Sequence, residues 1–221
     1  MLEIAVALGV FVVSFLLGSI PWGVIISKKV YHTDIREHGS GNIGTTNAMR
    51  TMGKAGGAAV FVLDFGKGVL SGCVALAALW FLVPGGGLSP DTPVRYETMC
   101  AIATAGCTLG HIFSPWLHFR GGKGIAVAIG ALCVAFGPVG AFVEVFCIFA
   151  PLVLITRYVS VGSIASAALC PVIACFLFWG QWPAIALYAI TGGVVVWAHR
   201  ENIKRLLAGT ESRVGSKKRA A

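Results

Sequence analysis

Long apolar runs separated by polar, glycine-rich breaks set the layout of this chain. A helix that crosses a bilayer needs about 20 apolar residues. Candidate runs fall at residues 2–27, 55–83, 98–113, 125–136, 141–155, 161–178 and 184–197. The first ends in Lys28 and Lys29, and a polar loop follows it. Pro84 to Glu97 reads as a turn-rich loop, 114–123 as a second polar loop, and 156–158 as a brief polar break. The fourth run is short and ends at Gly137-Pro138. Trp179 and Trp182 flank an interfacial turn before the seventh.

Composition turns this pattern into a class. The chain is 57% hydrophobic and 12% charged, with a mean hydropathy of +0.83, where a soluble domain is about 25% charged. The expectation is an all-α integral membrane protein with one domain, 1–208, and a basic tail, 209–221. Fifteen of the 17 Lys and Arg residues fall in the first loop, in 114–123, in 156–158 and in the tail. With seven spans these are alternate loops, so the positive-inside rule puts them in the cytoplasm and the N-terminus outside. A re-entrant fourth segment would leave five spans and the C-terminus still cytoplasmic. The net charge of +8 thus reports orientation, and no nucleic-acid-binding pattern accompanies it. The seven cysteines lie in apolar stretches, with no C-x-x-C pair and no His or acid at ligand spacing. They read as small buried side chains and not as metal ligands or disulfides. The first run lacks a basic leader and a cleavage site, and reads as a retained helix.

The polar runs carry the candidate chemistry. Gly39-Ser40-Gly41-Asn42-Ile43-Gly44-Thr45-Thr46-Asn47-Ala48-Met49-Arg50 combines glycines that let backbone N–H groups approach a ligand, short hydrogen-bonding side chains and a guanidinium fork suited to phosphate. That mixture describes an anion cradle, against the plainer reading of a flexible linker. The second run passes from Gly110-His111-Ile112-Phe113-Ser114-Pro115-Trp116 to Phe119-Arg120-Gly121-Gly122-Lys123-Gly124. Glycines around a lysine at a helix start favour an anion through N–H groups, dipole and ammonium; the alternative is a basic helix end among headgroups. It is not a Walker A loop, since Leu117 stands five before Gly122 and Gly124 follows Lys123.

Arg157-Tyr158-Val159-Ser160-Val161-Gly162-Ser163 fits interfacial anchoring and helix packing as well as it fits a site. In the fourth run, His199, Asn202 and Arg205 share a face at i, i+3 spacing, with Ile203, Leu206 and Leu207 opposite. An amphipathic helix on anionic lipid explains its Lys and Arg residues but not His199 or Asn202. Asp64 and Lys67 are three apart and read as a structural ion pair, because charges in a bilayer are costly. Glu144 has no evident partner in the sequence. No Ser-x-x-Lys, G-x-S-x-G or H-E-x-x-H pattern appears, so covalent and zinc hydrolysis lack their signatures. Cations at Arg50, Lys123 and the His199 helix suit two anionic substrates, one already activated, brought together by positioning and charge neutralisation. A transporter for a phosphorylated solute would instead place polar groups near mid-membrane on broken helices.

The runs GSGNIGTTNAMR, HIFSPWLHFRGGKGIA, RYVSVGS and HRENIKRLLAGTE, together spanning 39–211, resemble the successive motifs of the bacterial acyl-phosphate-dependent glycerol-3-phosphate acyltransferase family. Thr45 stands where the family usually has Ala, and Val127 where Thr is common. The resemblance implies a small enzyme of seven transmembrane helices in the bacterial cytoplasmic (inner) membrane. Its N-terminus would be extracytoplasmic, its C-terminus and active site cytoplasmic, and it would work as a monomer without cofactor or metal. It would transfer an acyl group from acyl phosphate to the 1-hydroxyl of sn-glycerol 3-phosphate, giving lysophosphatidic acid and phosphate, the first acylation of phospholipid biosynthesis. Ser40, Arg50, Lys123, His199 and Asn202 would form the glycerol 3-phosphate set, with Arg50 and Lys123 on the phosphate and His199 and Asn202 on the glycerol part. Gly41, Asn42, Thr46, Asn47, Gly121, Gly122, Gly124, Ser160 and Ser163 would hold the acyl-phosphate head. The acyl chain would lie in a groove open to membrane lipid.

Overall fold

In lipid every backbone N–H and C=O needs an internal partner, which a helix supplies within one segment. The computed structural model describes residues 1–83 and 94–215, and these contain helices and no strand. In chain order they are α1 (Leu2–Ser19), α2 (Trp22–Lys29), a 3-10 turn (Ile35–Glu37), α3 (Thr45–Leu82), α4 (Tyr96–Ile112), a 3-10 turn (Pro115–Leu117) and α5 (Ile125–Ala135). Then come α6 (Gly137–Phe142), a π-helical stretch (Val143–Phe149), α7 (Ala150–Thr156), α8 (Val159–Leu177), α9 (Trp182–Ala198) and α10 (Arg200–Leu207).

Four stretches are long and apolar enough to cross a membrane: Leu2–Lys29, Thr45–Leu82, Gly137–Thr156 and Val159–Leu177. The pair α9 and α10, bent by 54°, makes a fifth if it counts as one span. By that measure the seven spans expected from hydropathy become four or five, because α4 and α5 have 17 and 11 residues.

Other boundaries move for local reasons. The first run is two helices, since Ile20 turns extended (ψ 116) ahead of Pro21; the residue before a proline is pushed out of the α region. The first polar loop is itself helical from Thr45. Gly53, at φ 73 and ψ −173, separates a two-turn polar helix at 45–52 from the apolar span beyond it. The stretch expected to start at 141 starts at Gly137, with Pro138 in the first turn, where its missing N–H is not needed. The loop expected at 84–97 lies largely outside the described residues, as do 216–221 of the tail.

Helices meet through glycine. On α4, a methyl group at Gly110 would lie 2.1 Å from the Phe15 carbonyl oxygen of α1; on α1, one at Gly18 would lie 2.0 Å from that of Cys107. The pair α3 and α5 is built alike: Gly68 sits against the Val127 carbonyl and Gly130 against that of Phe65. Small residues let backbones touch where lipid supplies no hydrophobic drive for association. The large-residue core gathers at the end of the bundle away from the polar loops. There the rings of Phe136, Phe178 and Tyr188 pack with centroids 5.0–6.1 Å apart, among Leu79, Met99, Leu132 and Ile185. Glu144 lies buried in the π-helical stretch beside Ser166, Tyr188 and Thr191, which with it line a small cavity of about 30 Å³. Cys100, Cys107 and Cys170 are buried as expected, whereas Cys73 and Cys147 lie on the outer surface.

The glycine contacts define a stability test. Gly130→Val should force α5 off α3 and cost about 1–3 kcal/mol or more, read as a lower unfolding temperature in detergent. Gly9→Ala, with open space around it, should leave that temperature unchanged or slightly raised.

Candidate active site

The first polar loop is folded by Asn47. Its Nδ2 donates to the carbonyls of Ile35 (3.1 Å) and His38 (3.0 Å), and its Oδ1 accepts the Ser40 N–H (2.9 Å). Gly39 (φ +62) has no room for a side chain, since a methyl there would sit 2.1 Å from Asn47 Oδ1. Asn42 Oδ1 accepts the Gly44 N–H at 2.9 Å, an Asx turn that delivers the chain into α3. Nearby, Asp34 binds Arg36 and Lys28; the Arg36 hydrogen bond above all holds its carboxyl well below the usual range. The opening turn of α3 then presents Gly44, Thr45 and Thr46 to a cavity, with backbone N–H groups that no helical carbonyl can take.

The second loop is pinned at both ends. Ser114 Oγ donates to the Ser19 carbonyl (2.6 Å) and Trp116 Nε1 to Ser19 Oγ (2.8 Å). At the far end, the N–H groups of Gly121 and Gly122 donate to the carbonyls of Ile112 (2.9 Å) and His111 (3.0 Å). These glycines are therefore not free N–H donors for an anion, as the sequence led us to expect. They are glycine because a methyl would lie 2.0 Å from the His111 carbonyl oxygen and 2.1 Å from His111 Nε2, respectively. The chain passes Lys123 and enters α5 through Gly124 (φ +86). Gly124, Ile125 and Ala126, at the start of α5, face the same cavity as the start of α3.

The third wall comes from α8, α10 and the chain after α10. Glu211 Oε1 accepts from Asn202 Nδ2 (2.7 Å) and Ser160 Oγ (3.0 Å), and Oε2 from Arg205 Nε (2.6 Å). Burial opposes the Glu211 charge, but these hydrogen bonds outweigh it and lower its pKa. Asn202 Oδ1 in turn accepts from Lys123 Nζ at 2.5 Å. Burial, with Arg205 and Arg50 nearby, pulls the Lys123 pKa down to about 8, although Glu211 works the other way. His199 donates from Nδ1 to the Val195 carbonyl (2.8 Å). Burial lowers its pKa to about 4, so the ring is neutral and its Nε2 carries a lone pair.

Beneath these loops lies a buried ionic cluster. Lys67 Nζ sits 2.8 Å from Asp64 Oδ1, 2.9 Å from the Ile20 carbonyl and 3.0 Å from His111 Nδ1. The expected pairing of Asp64 with Lys67 is present, and His111 and the helix break complete it.

All of this surrounds one cavity of about 1730 Å³. Of the expected residues, Ser40, Asn42, Thr46, Asn47, Arg50, Lys123, Gly124, Ser160, Ser163, His199 and Asn202 line it; Gly41, Gly121 and Gly122 do not. Asn47 faces the cavity with its amide engaged in the loop, and Ser163 Oγ donates to the Val159 carbonyl of its own helix. Arg205, Glu211, Asp64 and His111 also line the cavity without having been assigned to the site. Arg205 shares the His199 face, a visible signal. Glu211 shows no such periodicity, because Gly209 (φ +68) turns the chain back after α10. The tail drawn from 209 thus begins inside the site, with Ser212 to Gly215 also on its wall. The other end of the cavity is apolar, lined by Phe61, Phe65, Ile129, Cys133, Phe142 and Phe146. Among the described residues, no group of three His, Cys, Asp or Glu side chains could hold a metal ion.

A cavity with two helix starts, the cations Arg50, Lys123, Arg205 and Arg213, and an apolar extension suits an amphiphile with an anionic head. Residues 8–209 match the family model described as glycerol-3-phosphate acyltransferase. The chain belongs to the glycerol-3-phosphate acyltransferase family. Relatives of that name include one from Rhodopseudomonas palustris, 40% identical and covering 97% of this chain and 99% of the relative. Another, from Thermosynechococcus vestitus, is 38% identical over 96% of this chain and 97% of its own length. Two crystal structures of PlsY, an integral membrane glycerol 3-phosphate acyltransferase, share the fold at 32% identity over 95% of this chain. The glycerol 3-phosphate form has a TM-score of 0.80 and covers 96% of that chain; the lysophosphatidic acid form has 0.77 and 95%. This member of the acyltransferase family is thus an integral membrane protein of the same architecture.

Asn47→Ala separates loop folding from ligand contact. It leaves three backbone groups without their partner, at about 1–3 kcal/mol for each one left buried and unsatisfied. The unfolding temperature in detergent should fall together with activity, and a fall in activity alone would show that Asn47 acts on ligand.

Proposed function

We propose that this family member transfers an acyl group from acyl phosphate to the 1-hydroxyl of sn-glycerol 3-phosphate, releasing lysophosphatidic acid and inorganic phosphate. The observation that carries the reading is the continuity of the cavity from the cationic end at Arg50, Lys123 and Arg205 to the apolar end at Phe61, Phe142 and Phe146. An acyl phosphate is one molecule with those two ends. The family, and the glycerol 3-phosphate and lysophosphatidic acid forms of the related structures, support the acceptor and the product.

In this reading Arg50 and Lys123 bind the phosphate of glycerol 3-phosphate, as charge-assisted donors do best. Ser40 adds a hydroxyl. Asn202, oriented by Lys123 and Glu211, and His199, with its Nε2 lone pair, orient the glycerol hydroxyls. The acyl-phosphate head takes the first-turn N–H groups of α3 and α5, with Asn42, Thr46, Gly124, Ser160 and Ser163 around it. The acyl chain lies along Ile129, Cys133, Phe142 and Phe146. The donor is a mixed anhydride, so phosphate leaves readily and takes the hydroxyl proton; no side chain acts as nucleophile. A trapped acyl-enzyme would sink that mechanism. All these groups come from one chain, as a monomeric enzyme requires. The helix ends at the cavity alternate along the sequence, and the basic loops share its side. We therefore read seven crossings of a bacterial cytoplasmic membrane, α4 and α5 being short, with the N-terminus outside and the site in the cytoplasm.

The deciding assay supplies glycerol 3-phosphate with palmitoyl phosphate, and separately with palmitoyl-CoA, and follows phosphate and lysophosphatidic acid. Turnover with the acyl phosphate alone is expected; turnover with the thioester alone overturns the donor. Lys123→Ala should lower turnover by about 100-fold or more with the unfolding temperature retained.

The pH dependence follows from Lys123, whose folded pKa of about 8 lies below its ordinary 10.5. Below about pH 8 the ammonium is intact, and its burial costs stability. That cost disappears as pH rises toward 10.5, whereas phosphate binding needs the charge. Glycerol 3-phosphate affinity, measured by calorimetry without donor, should therefore be flat between about pH 7, where the phosphate is already dianionic, and about pH 8, and weaken about tenfold per unit above it. An affinity unchanged at pH 9.5 would remove Lys123 from the phosphate site.

A further inference from the structure

We propose that His111 is a further catalytic residue, donating a hydrogen bond from Nε2–H to the carbonyl oxygen of the acyl donor, where negative charge develops as the hydroxyl adds. The inference rests on the acyl-transfer reading above. The Lys67 ammonium has three donors and no acceptor capacity, and three acceptors surround it: Asp64 Oδ1, the Ile20 carbonyl and His111 Nδ1. Nδ1 must therefore accept, which places the proton of a neutral ring on Nε2. The Asp64 carboxylate and the Ile20 carbonyl hold the ammonium in place, so this tautomer is built in.

The position of His111 is as specific as its protonation. Nε2 lies against Gly122, the residue before Lys123, and His111 and Asp64 are on the cavity wall. Phe61, about one turn before Asp64 on α3, and Phe65, the residue after it, belong to the apolar end. His111 thus stands where the polar end becomes apolar. In an acyl phosphate that junction is the carbonyl carbon.

The step balances without His111 gaining or losing a proton. The acceptor hydroxyl oxygen forms a bond to the carbonyl carbon, whose oxygen becomes the oxyanion held by Nε2–H. The bond from carbon to the phosphate oxygen then breaks, the carbonyl re-forms, and the departing phosphate carries the hydroxyl proton. A preorganised donor aimed at a developing oxyanion contributes mainly to kcat, because the ground-state carbonyl uses it weakly.

The test uses the full-length protein in phospholipid nanodiscs with palmitoyl phosphate and glycerol 3-phosphate. Wild-type protein is assayed first. An enzyme that binds glycerol 3-phosphate but turns over no acyl phosphate overturns the donor, and with it this role for His111. Given turnover, His111→Phe should lower kcat about 100-fold or more and leave the KM for glycerol 3-phosphate within about threefold. His111→Gln, which restores an N–H donor, should exceed the Phe variant by about tenfold. A Phe variant at wild-type kcat overturns the proposal, as does a Gln variant no better than Phe when both keep wild-type affinity for glycerol 3-phosphate. If the Phe variant does not fold, His111→Met takes its place as the non-donor. A second arm pairs Lys67→Met with Asp64→Asn, so that no buried charge is left unpaired. A folded double variant with undiminished kcat overturns the tautomer lock; a loss of kcat at unchanged KM supports it.

Discussion

A buried ammonium is stable only when every one of its donors is met, because taking a charge out of water costs several kcal/mol before any partner is counted. Lys67 meets that condition with one group from its own helix, one from the break between α1 and α2, and one from the last turn of α4. The condition propagates outward. Pro21 takes Ile20 out of the helix, and its carbonyl becomes available to Lys67. The neighbouring Ser19 then holds Ser114 and Trp116, while His111 and Ile112 hold Gly122 and Gly121. The loop that carries Lys123 is thus fixed at both ends by groups tied to one interior charge. Remote as it is from solvent, Lys67 sets where the cavity's cation stands.

Two kinds of glycine serve this arrangement, and the distinction is physical. Gly39 and Gly124 have positive φ and make turns a β-carbon would strain. Gly121, Gly122, Gly110 and Gly130 permit approach: each lies against a carbonyl or ring with no space for a methyl. A phosphate loop is usually credited to the first kind, whose N–H groups stay open to the ligand. In the Gly121–Gly124 run the N–H groups of the leading pair are spent on α4, and the open ones belong to the starts of α3 and α5. The anion site therefore depends on two helix ends converging and not on one loop wrapping an ion.

That division explains what could be read from the sequence. Apolar runs located the long apolar helices, because burial and lipid exposure are local properties of composition, but not the polar helix at 45–52. The polar runs named most of the cavity wall, because Arg50, Lys123, His199 and Asn202 sit in stretches otherwise hard to explain in a membrane protein. Asn47 was assigned to ligand since an amide in a loop has many possible partners, and only the folded chain shows all its groups taken. The N–H groups of Gly121 and Gly122 were expected at a ligand for the same reason, and the carbonyls they serve lie on α4. Glu211 was missed because its partners, Ser160 and Asn202, are 51 and 9 residues away across a reversal at Gly209. The break at Pro21 was overlooked because hydropathy continues across it; the residue that makes use of the break, Lys67, lies 47 residues on.

The site also balances its charges in an instructive way. Arg50, Lys123, Arg205 and Arg213 face one cavity, and their mutual repulsion would be costly in a half-buried space without a counter-charge. Glu211 supplies one negative charge and, through Asn202, reaches Lys123 without pairing with it directly. That leaves Lys123 short of compensation, which is why burial, Arg205 and Arg50 prevail and its proton is loosely held. A cation in that condition gains more from an arriving phosphate than one already neutralised, because the ligand supplies the charge the protein withholds. Pairing Lys123 directly with a carboxylate would steady the empty site and weaken its hold on an anion. Placing an amide between the two keeps the lysine aimed and unspent.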